Sequence, residues 1–372
     1  MLKKDILKSE SPKSMYVHVP FCQSICAYCD FTRVAYQEKT VSKWLIQIEK
    51  DLADVANKEL TTIYLGGGTP SCLNIHQLEE LLIALEGFDV AMEYTIEVNP
   101  ETLTTDKAKL LVEHGVNRVS LGVQSFQDIL LETINRKHRK KDIIRCVALL
   151  KEVGITNISI DLMYGLPNQS IEQFSQDLLF ATTLDIKHVS IYSLTIEPNS
   201  VFGRTGVKQI DVDLEADMYE KAIEILVGNG FEQYEVSSFA KKGFESIHNL
   251  TYWQYEDFYG IGIGASGKEG NSRYTNIADF KSYLAGNCKK EIVQLALDDM
   301  MFETVMMGLR LKRGIDLVKF ENKYNTDLRE KYAPMIKKHV VNGNLLLTDS
   351  HLATTAKGMG ILNEVLVDFL TE

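Results

Sequence analysis

Short apolar segments alternate with helical repeats through the first two thirds of the chain. Between Val41 and Val55, and again between Leu78 and Leu85, apolar residues recur at the spacing of a buried helix face. The segments that predict strands are Met15–Val19, Thr62–Leu65, Tyr94–Val98, Arg118–Gly122, Asn157–Leu162 and His188–Leu194. Six strand–helix units in sequence order predict an α/β fold, in which a parallel sheet forms a partial (β/α)6 TIM-like barrel.

Polar or glycine-rich residues come directly after each of these strands. They lie at Cys22–Cys29, Gly66–Pro70, Glu97–Pro100, Gln124–Phe126, Gly165–Pro167 and Thr195–Pro198. In barrels of this kind the carboxyl ends of the strands carry the chemistry, because the loops that follow them meet at one rim. The sequence therefore predicts a functional site at this rim.

The pattern changes after residue 238. Aromatic and glycine residues increase from His248 to Tyr274, and the chain becomes helical from Leu295 onward. The last segments predict a small hairpin and a final helix, at Leu345–Leu347, His351–Ala353 and Met359–Leu370. We therefore expect two domains, residues 1–238 and 239–372, of which the second is smaller, mainly helical and winged-helix-like.

Charge and composition narrow the function classes. The 372 residues include 51 acidic and 40 basic side chains, which give a formal charge of -11. This balance argues against broad nucleic-acid binding, the hypothesis that a winged-helix-like end raises. No apolar run approaches the ~20 residues that span a bilayer, and the first residues lack the apolar core of a signal peptide. Six cysteines in so long a chain do not predict a disulfide framework, so we expect a reducing cytoplasm.

Three cysteines are the most specific chemical feature. Cys22, Cys26 and Cys29 lie within eight residues, in the spacing C-x3-C-x2-C. Three thiolates can hold three irons of a [4Fe–4S] cube and leave the fourth iron open to a small molecule. A structural zinc site needs a fourth ligand, usually as part of a second pair, and buried inert thiols do not fit this spacing on a polar loop. The trio therefore predicts an iron–sulfur cluster.

Other residues at the predicted rim are suited to bind a charged nucleoside. Gly66–Pro70 has the sequence GGGTP, whose glycines let the backbone approach a ligand closely, although a tight turn would also need them. The carboxylates of Glu97 and Asp161 could bind ribose hydroxyls or an amino group, and Arg136 offers a planar donor fork for a carboxylate. Each residue alone has a structural explanation, and their shared position at strand ends favours a joint site.

Several motifs, in their order along the chain, resemble the oxygen-independent coproporphyrinogen III oxidase (HemN) family of radical S-adenosylmethionine (SAM) proteins. They are YVHVPFC with CAYCDF, GGGTP, IEVNP, LGVQSF, INR and IDLMYGLP. The resemblance implies that the three cysteines hold the cluster and that its open iron binds SAM. It also implies a SAM site lined by Tyr16, Tyr28, Gly67, Gly68, Thr69, Glu97, Gln124, Arg136, Asp161, Met163 and Thr195.

Two departures from the oxidases favour the haem-chaperone branch of that family. The oxidases carry a further cysteine where this chain has Phe31, and a longer segment before the first strand, where only 14 residues precede Met15. The run HNLTYW matches the HNxxYW motif of that branch, so the resemblance implies His248, Tyr252 and Trp253 as haem residues. A structural histidine in an aromatic core is the alternative, and the methionines of Met300–Met307 favour core packing over haem ligation.

The sequence thus predicts a haem chaperone that binds haem, a [4Fe–4S] cluster and SAM, and transfers haem to an acceptor protein. The alternative is an oxygen-independent coproporphyrinogen III oxidase, which decarboxylates propionate side chains by radical chemistry. An electron donor for the cluster is an expected partner, and a homodimer is compatible with the sequence. No catalytic residue is identified.

Overall fold

The computed structural model describes residues 11–287 and 290–370. Its strands are β1 (Ser14–Val19), β2 (Phe21–Cys22), β3 (Val34–Ala35), β4 (Glu59–Gly67), β5 (Asp89–Val98), β6 (Arg118–Gln124), β7 (Asn157–Tyr164), β8 (His188–Ser193), β9 (Glu232–Gln233), β10 (Ser238–Ala240), β11 (Tyr259–Ile261), β12 (Ser266–Glu269), β13 (Ser272–Asn276), β14 (Lys290–Gln294), β15 (Ile315–Asp316), β16 (Leu345–Leu347) and β17 (His351–Thr354).

Helices cover the sheet and form most of the C-terminal part. They are α1 (Glu38–Ala53), α2 (Ile75–Leu85), α3 (Thr105–Glu113), α4 (Asp128–Thr133), α5 (Lys140–Glu152), α6 (Ile171–Thr182), α7 (Val201–Thr205), α8 (Val212–Gly228), α9 (Ile247–Trp253), α10 (Phe280–Leu284), α11 (Leu297–Gly308), α12 (Leu317–Tyr324), α13 (Leu328–Lys331), α14 (Ala333–Val341), α15 (Ala356–Gly360) and α16 (Leu362–Val367). Among the described residues, none of these helices is long and apolar enough to cross a membrane.

The central element is a nine-stranded sheet with the order β11-β1-β4-β5-β6-β7-β8-β10-β9. Every pair from β11 to β8 is parallel, whereas β10 pairs antiparallel with both β8 and β9. The strands β1, β4, β5, β6, β7 and β8 are the six predicted from sequence, and they lie side by side in sequence order. This topology confirms the predicted α/β partial barrel.

One continuous core joins the helices to the sheet. Helix α1 turns one face inward, where Trp44 and Ile48 are fully buried against the strands. The ring of Trp44 meets the ring of Phe21 edge-on, with centroids 5.5 Å apart. Removing so large a buried side chain typically costs about 3–5 kcal/mol. Because Phe21 precedes Cys22, this packing also fixes the start of the cysteine loop.

Side-chain caps set where several helices begin. Asn74, Thr104 and Ser170 each accept a hydrogen bond from the backbone N–H three residues ahead, at the starts of α2, α3 and α6. A cap of this kind satisfies one of the donors that the first helical turn leaves unpaired, and is worth about 1 kcal/mol. The caps therefore orient the helices that follow the strand ends and hold the rim of the barrel.

The C-terminal part combines helices with a small antiparallel sheet, β15-β17-β16. The predicted hairpin is present as β16 and β17, within one residue of the predicted bounds. The single final helix predicted from sequence is instead two short helices, α15 and α16, which meet at Ile361. The predicted division at residue 238 does not coincide with the edge of the barrel sheet, because β10 begins there and β11 follows it.

Candidate functional site

A cavity of about 430 Å³ opens at the carboxyl ends of the parallel strands. The cysteine trio lines it, together with ten of the eleven residues that the resemblance implies for SAM: Tyr28, Gly67, Gly68, Thr69, Glu97, Gln124, Arg136, Asp161, Met163 and Thr195. The eleventh, Tyr16, lies behind this lining on β1. Its hydroxyl is 2.9 Å from Nδ1 of His18, and its ring centroid is 6.1 Å from that of Tyr64.

The cysteine loop is tied down by hydrogen bonds to its backbone. Within it, the N–H of Ala27 donates to the carbonyl of Ile134 at 3.0 Å. At its end, the guanidinium of Arg33 donates to the carbonyl of Phe31 at 2.8 Å and also to that of Cys29. These contacts fix the loop before any ligand binds, so the thiols form a prearranged set.

The thiols themselves are free and partly shielded from water. Burial raises the pKa of Cys22 to about 11 and also raises the pKa of Cys29. Neutral thiols must lose their protons when they ligate iron. Within residues 11–287 and 290–370, no three His, Cys, Asp or Glu side chains converge on a single metal ion. Three thiolates can each hold a different iron of a cube, whereas a structural zinc ion needs a fourth ligand.

Gly67 and Gly68, at the end of β4 and just after it, let the backbone approach the ends of β1 and β2 closely. The N–H of Gly68 donates to the carbonyl of Val19 at 2.8 Å. A Cβ on Gly68 would lie 2.7 Å from the carbonyl oxygen of Phe21, so a side chain cannot fit without backbone movement. Gly67 has φ +109° and donates its N–H to Oε2 of Glu97 at 3.1 Å. Only glycine adopts this backbone readily, and the ring of His18 occupies the space that a side chain here would need.

Two carboxylates face the cavity from neighbouring positions. Burial, reinforced by the charge of Asp161, raises the pKa of Glu97 to about 7, and burial raises the pKa of Asp161 to about 6. The hydroxyl of Tyr64 donates to Glu97 at 2.9 Å, and the hydroxyl of Ser120 donates to both oxygens of Asp161. A pair of partly desolvated carboxylates stabilises a ligand that carries positive charge, as a sulfonium or an ammonium group does.

Arg136 supplies the opposite charge on the same cavity. Its Nη1 donates to Oδ1 of Asn99 at 2.7 Å, and its Nη2 donates to the hydroxyl of Tyr28 at 2.9 Å. Its Nε is buried and has no hydrogen-bond partner in the part of the chain that the structure describes. A guanidinium has five N–H donors, so one that is held by two neighbours keeps donors for a ligand carboxylate. The cavity therefore has carboxylates for the positive charge of a ligand and a guanidinium for its negative charge. An amino acid with a cationic side chain carries both.

The residues implied for haem lie elsewhere. His248 is fully buried in the barrel wall, and Tyr252 and Trp253 follow it along α9. Nδ1 of His248 is 2.8 Å from the hydroxyl of Thr62, and Nε2 is 2.7 Å from that of Tyr252. Its ring stacks on Tyr64 with centroids 5.1 Å apart, and burial lowers its pKa to about 3. Both ring nitrogens are thus engaged, in the arrangement expected of a structural histidine.

Sequence reasoning did not select several further side chains of the cavity, among them Tyr64, Asn99, Ser120 and Tyr192. Tyr64 and Ser120 stand two residues before Gly66 and Gly122, on strands already assigned to the site. Side chains two residues apart along a strand lie on the same face. Tyr64 and Ser120 could therefore have been predicted from their spacing to residues already assigned to the site. The contact of Glu93 with α9 could not be predicted in this way, because its side-chain partner at that helix, Ser246, lies 153 residues further along the chain.

Comparison with known proteins agrees with this geometry. The Radical SAM superfamily model matches residues 16–181, and the HemN C-terminal domain model matches residues 295–360. The fold is similar to that of coproporphyrinogen III oxidase (HemN) from Escherichia coli, with a TM-score of 0.85 at 24% identity, over 97% of this chain and 90% of that chain. The fold and the cysteine cavity together define a radical SAM protein, a class that implies SAM and a [4Fe–4S] cluster.

Relatives of similar length narrow the class. "Heme chaperone HemW" of Lactococcus lactis is 39% identical, over 98% of each chain. The proteins of the same name from Bacillus subtilis and Escherichia coli are 36% and 33% identical, each over 97% of this chain and at least 99% of the relative. The chain belongs to the HemW family of radical SAM proteins. Family membership confirms the resemblance, while the roles of individual residues stay predictions.

Proposed function

We propose that this protein is a haem chaperone, which binds haem and passes it to an acceptor protein while carrying a [4Fe–4S] cluster with SAM. The observation that carries the proposal is the near full-length identity of 33–39% to several proteins named as haem chaperones. Phe31 adds local support. It is 64% exposed at the cavity mouth, at the position where the resemblance leads us to expect a cysteine in an oxidase.

Within the proposal, each group of cavity residues has a distinct task. Cys22, Cys26 and Cys29 would hold three irons, and Glu97 with Arg136 would orient the ammonium and carboxylate groups of SAM. When bound and reduced, the cluster supplies an electron that can cleave the sulfonium. The chain itself contributes fixed charges, a close backbone at Gly68 and shelter from water.

Oxygen-independent coproporphyrinogen III oxidation is the second candidate. The cysteine cavity supports it, because Glu97, Asp161 and Arg136, the charged residues that the resemblance implies for SAM, all line it. A tetrapyrrole oxidase must also bring a propionate side chain to this cavity, whose rim carries the exposed rings of Phe31 and Tyr192, 64% and 45% exposed. The two candidates thus differ in where a tetrapyrrole binds and in whether it is changed.

An electron donor belongs to either candidate. The loop that holds the cysteines reaches the protein surface, where Ile25 is 39% exposed beside the trio. A partner protein can approach the cluster from this side without entering the cavity. We include such a donor in the proposal, with its identity open.

Two assays on the anaerobically reconstituted protein test the proposal. In the first, the protein is incubated with coproporphyrinogen III, SAM and a reductant, and we expect no protoporphyrinogen. In the second, haem is titrated and followed by absorbance, and we expect saturable binding near one haem per chain, with transfer to an added apo-haemoprotein. Turnover of coproporphyrinogen, or absence of haem binding, would refute the chaperone assignment.

A further inference from the structure

A second cavity of about 580 Å³ lies between α9, α11 and the β12-β13-β14 sheet. Among the described residues, its lining shares none with the cysteine cavity. Helix α9 stands between the two, since it packs on β4 and β5 of the barrel and on α11 of the C-terminal part. Nothing in the radical SAM chemistry uses this second space.

We propose that haem binds in this cavity, and that the thioethers of Met306 and Met307, rather than the imidazole of His248, ligate its iron. The proposal rests on the proposed function, because it takes haem as the cargo. We call the space the α9–α11 cavity. Its size lies within the ~300–1,000 Å³ range of pockets that enclose small ligands and cofactors.

The walls of the α9–α11 cavity suit a flat apolar macrocycle. The rings of Tyr252, Trp253 and Phe258 line one side, and Thr275 and Val293 line the sheet side. Aromatic walls bury large apolar areas and pack on the face or edge of another ring. Trp253 also carries a buried indole N–H that has no hydrogen-bond partner within the described chain.

The four methionines of α11 divide into two pairs. Met300 and Met301 are 4% and 3% exposed and belong to the C-terminal core. Met306 and Met307 are only partly buried and line the α9–α11 cavity. Thioethers are soft ligands that proteins use on haem iron, and they favour the reduced state. Met306 and Met307 thus pack against the C-terminal core and also line the α9–α11 cavity, whereas Met300 and Met301 lie within that core.

Charge at the rim sets the orientation of a haem. Arg273 forms an ion pair with Glu303 at 3.0 Å, and its side chain remains 51% exposed. Lys268 is already neutralised by Asp257 and is deeply buried. Arg273 is therefore an accessible cation of this wall. Haem propionates would compete with Glu303 for its guanidinium, which places the propionate edge of the haem at this rim.

His248 then has a positioning role. Its nitrogens are bonded to Thr62 and Tyr252, and the ring of Tyr252 packs edge-on to Phe258 with centroids 4.6 Å apart. The imidazole thereby holds the aromatic wall of the α9–α11 cavity against the barrel. On its other face it stacks on Tyr64, which bonds Glu97 of the SAM cavity. His248 lies between the two cavities and in neither.

A blocking substitution on β14 tests the location. Val293 lines the α9–α11 cavity, whereas its neighbour Ile292 does not, and both are exposed at 44% and 57%. Val293→Trp should fill the space and weaken haem binding at least tenfold in titrations of the full chain. Ile292→Trp is the matched control and should bind haem like wild type, since adjacent strand residues face opposite sides. Equal haem affinities in the two variants, at any level, would overturn the location.

A second pair of variants tests the ligand. Met306→Leu combined with Met307→Leu keeps apolar volume but removes both thioethers. We expect the near-infrared charge-transfer band of sulfur-ligated ferric haem in wild type, its loss in the double variant, and its retention in the control Met301→Leu. A wild-type spectrum of nitrogen ligation, or one unchanged in the double variant, would overturn thioether ligation. If wild type binds no haem at all, the proposed function fails first, which separates the two outcomes.

Discussion

At the scale of single residues, the cysteine cavity brings together ionisable groups that are partly removed from water. The thiols of the cysteine loop, the two carboxylates and Arg136 all lie within one enclosure of about 430 Å³. Such groups are unfavourable for stability unless a ligand compensates them. Their clustering therefore supports binding as the reason for their presence, and it makes each of them open to a direct test.

Replacing one cysteine of the trio should remove the cluster. In Cys26→Ala, reconstitution should fail to give the visible absorption of a [4Fe–4S] cluster, because only two thiolates remain. Cys146→Ala is the control, since Cys146 is fully buried in the core of the barrel helices, away from the cavity. Its cluster content should match wild type. Wild-type iron content and absorption in Cys26→Ala would contradict the assignment.

Glu97 should couple pH to both stability and SAM binding. Its folded-state pKa of about 7 exceeds the ordinary 4.5, so the native state keeps a proton that the unfolded chain releases. Wild-type stability should therefore fall as pH rises from about 4.5 to about 7. Glu97→Gln should remove this loss, which is on the order of 3 kcal/mol above pH 7 and vanishes near pH 4.

The same substitution should weaken SAM binding at least tenfold at pH 8, because it removes a charge opposite the ligand's cation. Denaturant unfolding and equilibrium dialysis at several pH values measure the two effects. Glu80→Gln, on the exposed side of α2, is the control and should change neither by more than about 0.5 kcal/mol. A Glu97 variant that is less stable at pH 8 but binds SAM normally would contradict this account.

At the scale of elements, the contact between β4 and the cysteine strand depends on glycine. Gly68→Ala would force its Cβ to within 2.8 Å of the carbonyl oxygen of Val19 and closer to that of Phe21. We expect a loss of about 1–3 kcal/mol in stability and a clear drop in cluster yield. Gly87→Ala meets no atom within 4 Å and is the control. Similar cluster yields in both variants would show that the close approach is dispensable.

Helix α9 is held to the barrel by one buried carboxylate. Glu93 accepts hydrogen bonds from Ser246 Oγ at 3.2 Å, and from the N–H groups of Ile247 at 2.8 Å and His248 at 3.2 Å. Glu93→Ala leaves buried donors unpaired and should cost roughly 3 kcal/mol in denaturant unfolding. Glu93→Gln should cost less, because its amide oxygen still accepts. Equal losses in the two variants would rule out this capping role.

Much of the fold was accessible from sequence, and particular long-range contacts were not. The six predicted strands are present because alternating β-rich and helical patterns encode local structure. Strand β11 was missed, since Tyr259–Ile261 is three residues long and surrounded by glycines, and only its pairing with β1 makes it a strand. Likewise the motif at His248 indicated a ligand, while its partner Thr62, 186 residues away, became visible only in the fold.

At the scale of the whole molecule, the cysteine cavity and the α9–α11 cavity are separate. The cysteine cavity lies at the carboxyl ends of the barrel strands, and the α9–α11 cavity lies on the far side of α9. A hydrogen-bonded and stacked path through Tyr64, His248 and Tyr252 connects them. With haem and SAM at the sites that we propose, both would be bound at once, whereas an oxidase must bring a tetrapyrrole to the cysteine cavity itself.

Binding of haem and SAM to the same protein at the same time is therefore the measurement that tests whether the two ligands use separate cavities. Haem is titrated anaerobically into the cluster-loaded protein, with and without saturating SAM, and haem absorbance and bound SAM are measured together. We predict one haem per chain in both titrations, affinities that agree within a few-fold, and full retention of SAM. Displacement of SAM by haem in proportion to haem bound would contradict the account, because it would place the tetrapyrrole in the cysteine cavity.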